Sequence, residues 1–209
     1  MNNFNQICNN CKTTLDASLN GQLECLEYAH ENWCEWYVKV CKYAAENGHL
    51  DCLECAHANG CPWDELTCAL AAENGHLECL VYLHENGCPW NEWTCKYAAK
   101  KGQLECLKYA HANGCPWDKQ TCEYAAGDGQ LECLKYAHAN GCPWDKKTCE
   151  KAAKNGHLDC LAYLHENGCP CIHNIGNLKT YSTELDTTTD NEDIQCGICY
   201  ENCKRVLRG

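Results

Sequence analysis

With 209 residues, the chain has room for one array of small units plus short tails. Its 29 acidic residues against 17 basic ones give a formal net charge of −12, which favours solubility and argues against a nucleic-acid partner, because phosphate contacts need clustered lysine and arginine. No apolar run approaches the roughly 18 to 20 residues that span a bilayer, so a membrane is not an expected partner either.

The polar N-terminus, Met1-Asn2-Asn3-Phe4-Asn5-Gln6, lacks the apolar stretch of a signal peptide. The chain is therefore expected in a reducing, cytoplasmic compartment. There its 24 cysteines stay as thiols and pack as small hydrophobes. Residues 1–19 read as a degenerate N-terminal cap, since Thr14–Asn20 falls in register with Cys41–Asn47. Terminal units of a repeat protein are often atypical because one of their faces meets water.

From Asn20 onward one phrase recurs with a period of 27 residues. Gly60-Cys61-Pro62-Trp63 returns at Gly87, Gly114 and Gly141, and closes in the altered Gly168-Cys169-Pro170-Cys171. A strict period of this size marks a solenoid, in which each unit is one supersecondary element that buries its apolar face only against its neighbours. Six units begin at Asn20, Asn47, Asn74, Lys101, Asp128 and Asn155 and fill residues 20–171. In each, a short helix capped by Asn91 or by Asp64, Asp118 and Asp145 runs to a glycine such as Gly102. A second helix follows through Leu104, Cys106, Leu107 and Ala110, and Gly114 ends it. Helices of about nine residues are marginal alone, so stability must come from stacking. Trp36, Trp63, Trp90, Trp117 and Trp144 recur with the period and are expected to stack in a row at the turns.

After Cys171 the periodicity stops. Residues 172–195, with Thr187-Thr188-Thr189-Asp190-Asn191-Glu192-Asp193, read as a flexible acidic linker. Residues 196–209 open with Cys196-Gly197-Ile198-Cys199-Tyr200-Glu201-Asn202.

Ala71-Ala72-Glu73-Asn74-Gly75-His76-Leu77-Glu78-Cys79-Leu80 resembles the helix-turn-helix heart of the ankyrin repeat, and Leu83–Cys88 resembles the end of its second helix. The unit of 27 departs from the usual length of about 33, and the missing stretch falls at the β-hairpin. The resemblance implies an all-α, ankyrin-like α-solenoid of short helix-turn-helix repeats with β-hairpins shortened or absent. It implies a protein–protein interaction scaffold, not an enzyme, that binds a protein on a concave face. This cysteine- and tryptophan-rich form is similar to the ankyrin-type arrays of giant DNA viruses, which points to a host protein as partner in the host cytoplasm. The C-terminal Cys-Gly-Ile-Cys with its following Glu201 resembles the opening of a RING finger, though Cys203 comes too soon to be the third ligand. That resemblance implies a truncated RING with Cys196 and Cys199 as weak zinc candidates, and an alternative role as the substrate-recruiting part of a ubiquitin ligase.

Each unit also repeats Cys and His at spacings that zinc accepts, as in Cys79, His84, Cys88 and Cys95. These positions coincide with apolar core positions of the ankyrin repeat, so packing is the preferred reading over a Cys/His metal-binding protein, and no cofactor is expected. The His is expected to donate to a carbonyl of a neighbouring unit. No phosphate-binding loop, H-E-x-x-H or nucleophile elbow is present. The units differ mainly along one face of the first helix. We assign partner binding there to Leu66, Leu70, Trp93, Lys96, Tyr97, Lys100, Gln120, Tyr124, Lys147 and Lys151, with Trp93 and Tyr97 as the anchor.

Overall fold

The computed structural model describes residues 14–31 and 36–170. The chain divides into two compact units, Met1–Trp117 and Asp118–Gly209. The first contains α1 (Thr14–Leu19), α2 (Leu23–Glu31), α3 (Val38–Asn47), α4 (Leu50–Ala58), α5 (Glu65–Glu73), α6 (Leu77–Glu85), α7 (Glu92–Lys100) and α8 (Leu104–Ala112). The second contains α9 (Lys119–Gly127), α10 (Leu131–Ala139), α11 (Lys146–Asn155) and α12 (Leu158–Glu166). No strand occurs among the described residues, so the expected all-helical, ankyrin-like solenoid with its hairpins missing is what each unit shows.

The helix boundaries follow from local chemistry. The side chains of Asp64, Asn91, Asp118 and Asp145 accept from the backbone N–H of Leu66, Trp93, Gln120 and Lys147 at 2.9–3.1 Å. Each thereby satisfies an orphan donor of the first turn. At the other end of α5, Gly75 adopts φ 80°, a left-handed conformation that a side chain disfavours. It has a second constraint: a Cβ there would lie 2.4 Å from Gln103 Oε1 of the following repeat. Gly87, which ends α6, meets no such neighbour and is required by its φ of 79° alone.

Within each unit the first helix of one repeat packs against the first helix of the next (α1, α3, α5, α7; and α9, α11), while the second helices form a parallel, more loosely packed layer. The alanine pairs explain the close approach. Ala71, Ala72, Ala98 and Ala99 in the first unit, and Ala125 and Ala126 in the second, have no exposure. Between the layers lie Leu53, Leu80, Leu107 and Leu134, all fully buried.

Cysteine provides the second inter-repeat fastening. The loop thiols of Cys61, Cys88 and Cys115 donate to the backbone carbonyls of Tyr37, Asp64 and Asn91 at 3.2–3.4 Å, each residue standing immediately before a first helix of the preceding repeat. In the second unit Cys142 and Cys169 do the same to Asp118 and Asp145. The first-helix thiols answer in the opposite direction: Cys41, Cys95 and Cys122 donate to the carbonyls of Cys61, Cys115 and Cys142 at 3.8–3.9 Å. A side chain the size of cysteine thus fills a core position and still supplies a weak donor to a buried carbonyl. The 17 described cysteines are free thiols, and all but Cys55 are buried. Contact with the partner thiol, followed by burial, pushes Cys41, Cys88 and Cys122 up.

Two predictions follow from this core. Leu107→Ala removes a fully buried side chain and should cost about 2–5 kcal/mol through the cavity it leaves; urea unfolding checks it, and a wild-type midpoint would show that Leu107 is not core. The second concerns pH. Burial pushes the thiols of Cys52, Cys79, Cys106 and Cys160 from 9.0 up to about 11. Below pH 9 both folded and unfolded chains hold these protons, and the stabilisation is complete. Between pH 9 and 11 the unfolded chain releases them first, so stability falls as pH rises through that window. The urea midpoint in reducing buffer should drop from pH 9 to 11, and less steeply for Cys79→Ala/Cys106→Ala; equal slopes would remove the buried-thiol explanation.

Candidate functional site

A ladder of stacked His–Trp pairs occupies the turn side of the first unit. His57 stacks on Trp63 with ring centroids 3.7 Å apart, and His84 on Trp90 at 4.0 Å. His111 stacks on Trp117 at 3.8 Å. The next repeat then contributes a tyrosine. Tyr82 meets Trp63 edge to face at 6.3 Å, and Tyr109 meets Trp90 at 6.4 Å, an arrangement that suits the quadrupoles of the rings. Its hydroxyl completes the link, 3.1 Å from His57 Nδ1 for Tyr82 and 2.9 Å from His84 Nδ1 for Tyr109. In the second unit His138, Trp144 and Tyr163 repeat the pattern, with the stack at 3.6 Å and the hydrogen bond at 2.8 Å. Burial pushes the Tyr82, Tyr109 and Tyr163 phenols up and the His57 imidazole down, which keeps the His57–Tyr82 pair neutral at pH 7.

This arrangement corrects two expectations. Within each unit the tryptophans do not stack on one another: Trp63, Trp90 and Trp144 each stack on the histidine six residues earlier, and Tyr82, Tyr109 and Tyr163 of the following repeat cover those pairs. The histidine is not a core residue bonded to a carbonyl; it is half-buried and bonded to a phenol. The tyrosine was the missed partner. Its signal was present as a further 27-residue recurrence, Tyr82, Tyr109, Tyr136 and Tyr163, with Cys55 in the corresponding place one repeat earlier. Where Cys55 stands, the preceding pair is looser, and His30 and Trp36 are tilted at 6.4 Å.

The constellation Cys79, His84, Cys88 and Cys95 is not brought together. Cys88 turns to Asp64 of the preceding repeat, Cys95 to Cys115 of the following one, and His84 lies on Trp90. Among the described residues no group of three or more His, Cys, Asp or Glu side chains is placed to hold a metal ion. Cys196 and Cys199 lie outside the described residues, as do the linker and the RING-like start.

In the first unit Trp93 is 39% exposed and stacks on Tyr97, with centroids 6.5 Å apart and an interplanar angle of 23°. Leu66 and Leu70 hold the corresponding positions of α5 and are half-buried, as is Lys100. Lys96, assigned to the partner-binding face, is buried, with 8% exposure. Its repeat position is that of Lys42, Ala69 and Glu123, each of which is engaged or covered within its own unit. Lys42 pairs there with Asp64 at 2.7 Å, Ala69 is fully buried, and Glu123 pairs with Lys151 at 3.1 Å.

In the second unit Gln120 and Tyr124 are half-buried and Lys147 is exposed. Lys151 is held in place, its Nζ 3.1 Å from Glu123 and 4.3 Å above the centre of the Tyr124 ring. Lys119 reaches Asp145 at 2.8 Å.

Comparison with known proteins agrees with this geometry. Residues 66–111 and 122–165, one stretch in each unit, match the family described as ankyrin repeats (many copies). No curated protein matches the sequence. Among solved structures the chain is similar to the ankyrin repeat domain of human ASB11, with 17% identity, coverage of 77% of this chain and 85% of that one, and a TM-score of 0.65. At that identity the likeness speaks to the fold alone. Among the described residues no helix is long and apolar enough to cross a membrane. Helix pairs closed by glycine, the matched segments and the shared fold agree: the described residues take an ankyrin-like fold of 27-residue repeats, with no strand among them.

Proposed function

We propose that this chain is a protein–protein interaction scaffold that holds a protein partner on the variable face of its first helices, with Trp93 and Tyr97 as the anchor. Ankyrin repeats generally mediate protein–protein interaction. The observation that carries the assignment is the exposure of Trp93. The repeat places Lys39, Leu66, Gln120 and Lys147 at the same position, so packing makes no demand for an indole there. A tryptophan left 39% exposed on a tyrosine, with Leu66 and Leu70 on the adjoining helix, has the composition of an interface centre, where aromatic side chains supply most of the binding energy. Lys100 provides a polar rim. Lys96, being buried, contributes packing and no rim charge.

The free thiols among the described cysteines support a reducing, cytoplasmic setting. The further reading of a host protein as partner of a viral chain is supported by the sequence resemblance.

Trp93→Ala should shift stability by no more than about 0.5 kcal/mol, as expected of a surface position. It should weaken capture of the partner by more than about 1 kcal/mol. Affinity capture from candidate lysates, with wild type and variant compared and urea unfolding run alongside, provides both readings. A large loss of stability with capture intact would place Trp93 in the core and the binding face elsewhere.

A further inference from the structure

Although the chain carries a net charge of −12, α11 (Lys146–Asn155) holds four lysines and one acid in ten residues. At 1.5 Å and 100° per residue, Lys147, Lys151 and Lys154 form one stripe about 10 Å long on this helix. Lys146, Lys147 and Lys154 are exposed. The acids around them are otherwise engaged or set back. Asp145 accepts from Lys119 at 2.8 Å and caps the helix through Lys147 N–H, Glu123 holds Lys151 at 3.1 Å, and Glu150 is half-buried.

Folding gives no reason for this arrangement. Two lysines in the first turn oppose the positive end of the helix dipole, and like charges four residues apart repel. The corresponding first turns of α5 and α7 carry Glu65 and Glu92. A neighbouring feature holds the middle of the stripe in place. Gly127 of α9 is buried, and a Cβ there would come within 3.3 Å of Lys151 Cβ. The earlier repeats have Glu46, Glu73 and Lys100 at that position. Glycine makes room for the Lys151 stem, and the Tyr124 ring and Glu123 fix its ammonium group.

We propose that the lysine stripe of α11, with Tyr124 beside it, binds an acidic peptide segment of a protein partner; this rests on the reading of the first-helix face as the binding face and names the chemistry of what its second-unit portion takes. Lys147 and Lys154 are spaced as two carboxylates three residues apart in a polyproline II segment, which rises about 3.1 Å per residue and, at three residues per turn, sets both on one side. Charge complementarity selects the occupant. A nucleic-acid strand would extend its phosphates past the stripe and against an otherwise acidic protein, whereas a short acidic peptide meets only the lysines.

The test is fluorescence anisotropy of fluorescein-labelled deca-glutamate with the full chain. Binding at 25 mM salt should weaken as salt rises to 250 mM. It should fall at least tenfold in Lys147→Glu/Lys154→Glu and less in Lys147→Gln/Lys154→Gln, and it should be unchanged in Lys135→Gln, which alters a lysine of the second-helix layer. Both lysine variants should keep the wild-type helical circular dichroism, since the altered side chains are exposed. No binding of deca-glutamate, equal binding by the charge-reversed variant, or tighter binding of a 20-nucleotide single-stranded DNA would each overturn the proposal. Loss of the deca-glutamate result with partner capture still dependent on Trp93 would remove the acidic-peptide stripe and leave the scaffold reading standing.

Discussion

Each repeat here is two helices of nine or ten residues, too short to persist in water, and the constraint on everything else is that adjacent repeats must hold one another. The His–Trp–Tyr ladder does this on the turn side. A histidine and a tryptophan from one repeat form a stacked pair, and a tyrosine from the next covers the indole edge-on while its hydroxyl meets the imidazole, as with His84, Trp90 and Tyr109. One contact is apolar and indifferent to direction. The other is a hydrogen bond that fixes how far one repeat is rotated on its neighbour. Together they give a geometric register that burial of leucines alone lacks.

The thiols complement this from the same turns, where Cys88 and Cys115 stand two residues before Trp90 and Trp117. A valine would fill the volume of Cys88 or Cys115 but leave the carbonyls of Asp64 and Asn91 without the second donor that the thiol provides. The donor is weak, yet it is repeated in successive repeats, and stability in a repeat protein accumulates across interfaces. With packing assigned to the alanine and leucine rows, the ladder and the thiols, the outward side of the first helix is free to vary. That freedom is why one face bears a tryptophan at 93 and a lysine at 147 within otherwise similar repeats.

Much of the architecture was legible in the sequence because it is written in residues with strong local rules. The caps at Asp64, Asn91, Asp118 and Asp145, the glycines that end each helix and the buried Leu80 and Leu107 all follow from short-range chemistry and period. What remained hidden depended on which neighbour a side chain meets. The tryptophan period is compatible with self-stacking; only coordinates show that His84 is interposed and that Tyr109 arrives from the following repeat. Lys96 is the instructive case on the candidate face. Its spacing shares a helix side with Trp93 and Tyr97, yet Lys96 is buried where Trp93 is exposed. Spacing identifies a helix face, and the distance between helices decides how much of that face meets water.

The ladder couples one repeat to the next, and a double-mutant cycle between His84 and Tyr109 measures that coupling directly. His84→Ala, Tyr109→Phe and the pair would be compared by urea unfolding. Removing the phenol hydroxyl should cost about 0.5–1.5 kcal/mol when His84 is present and close to nothing when it is absent, giving an interaction energy of at least about 0.5 kcal/mol. Effects that simply add, with Tyr109→Phe equally costly in both backgrounds, would mean that the two repeats are held by burial alone and that the ladder does not couple them.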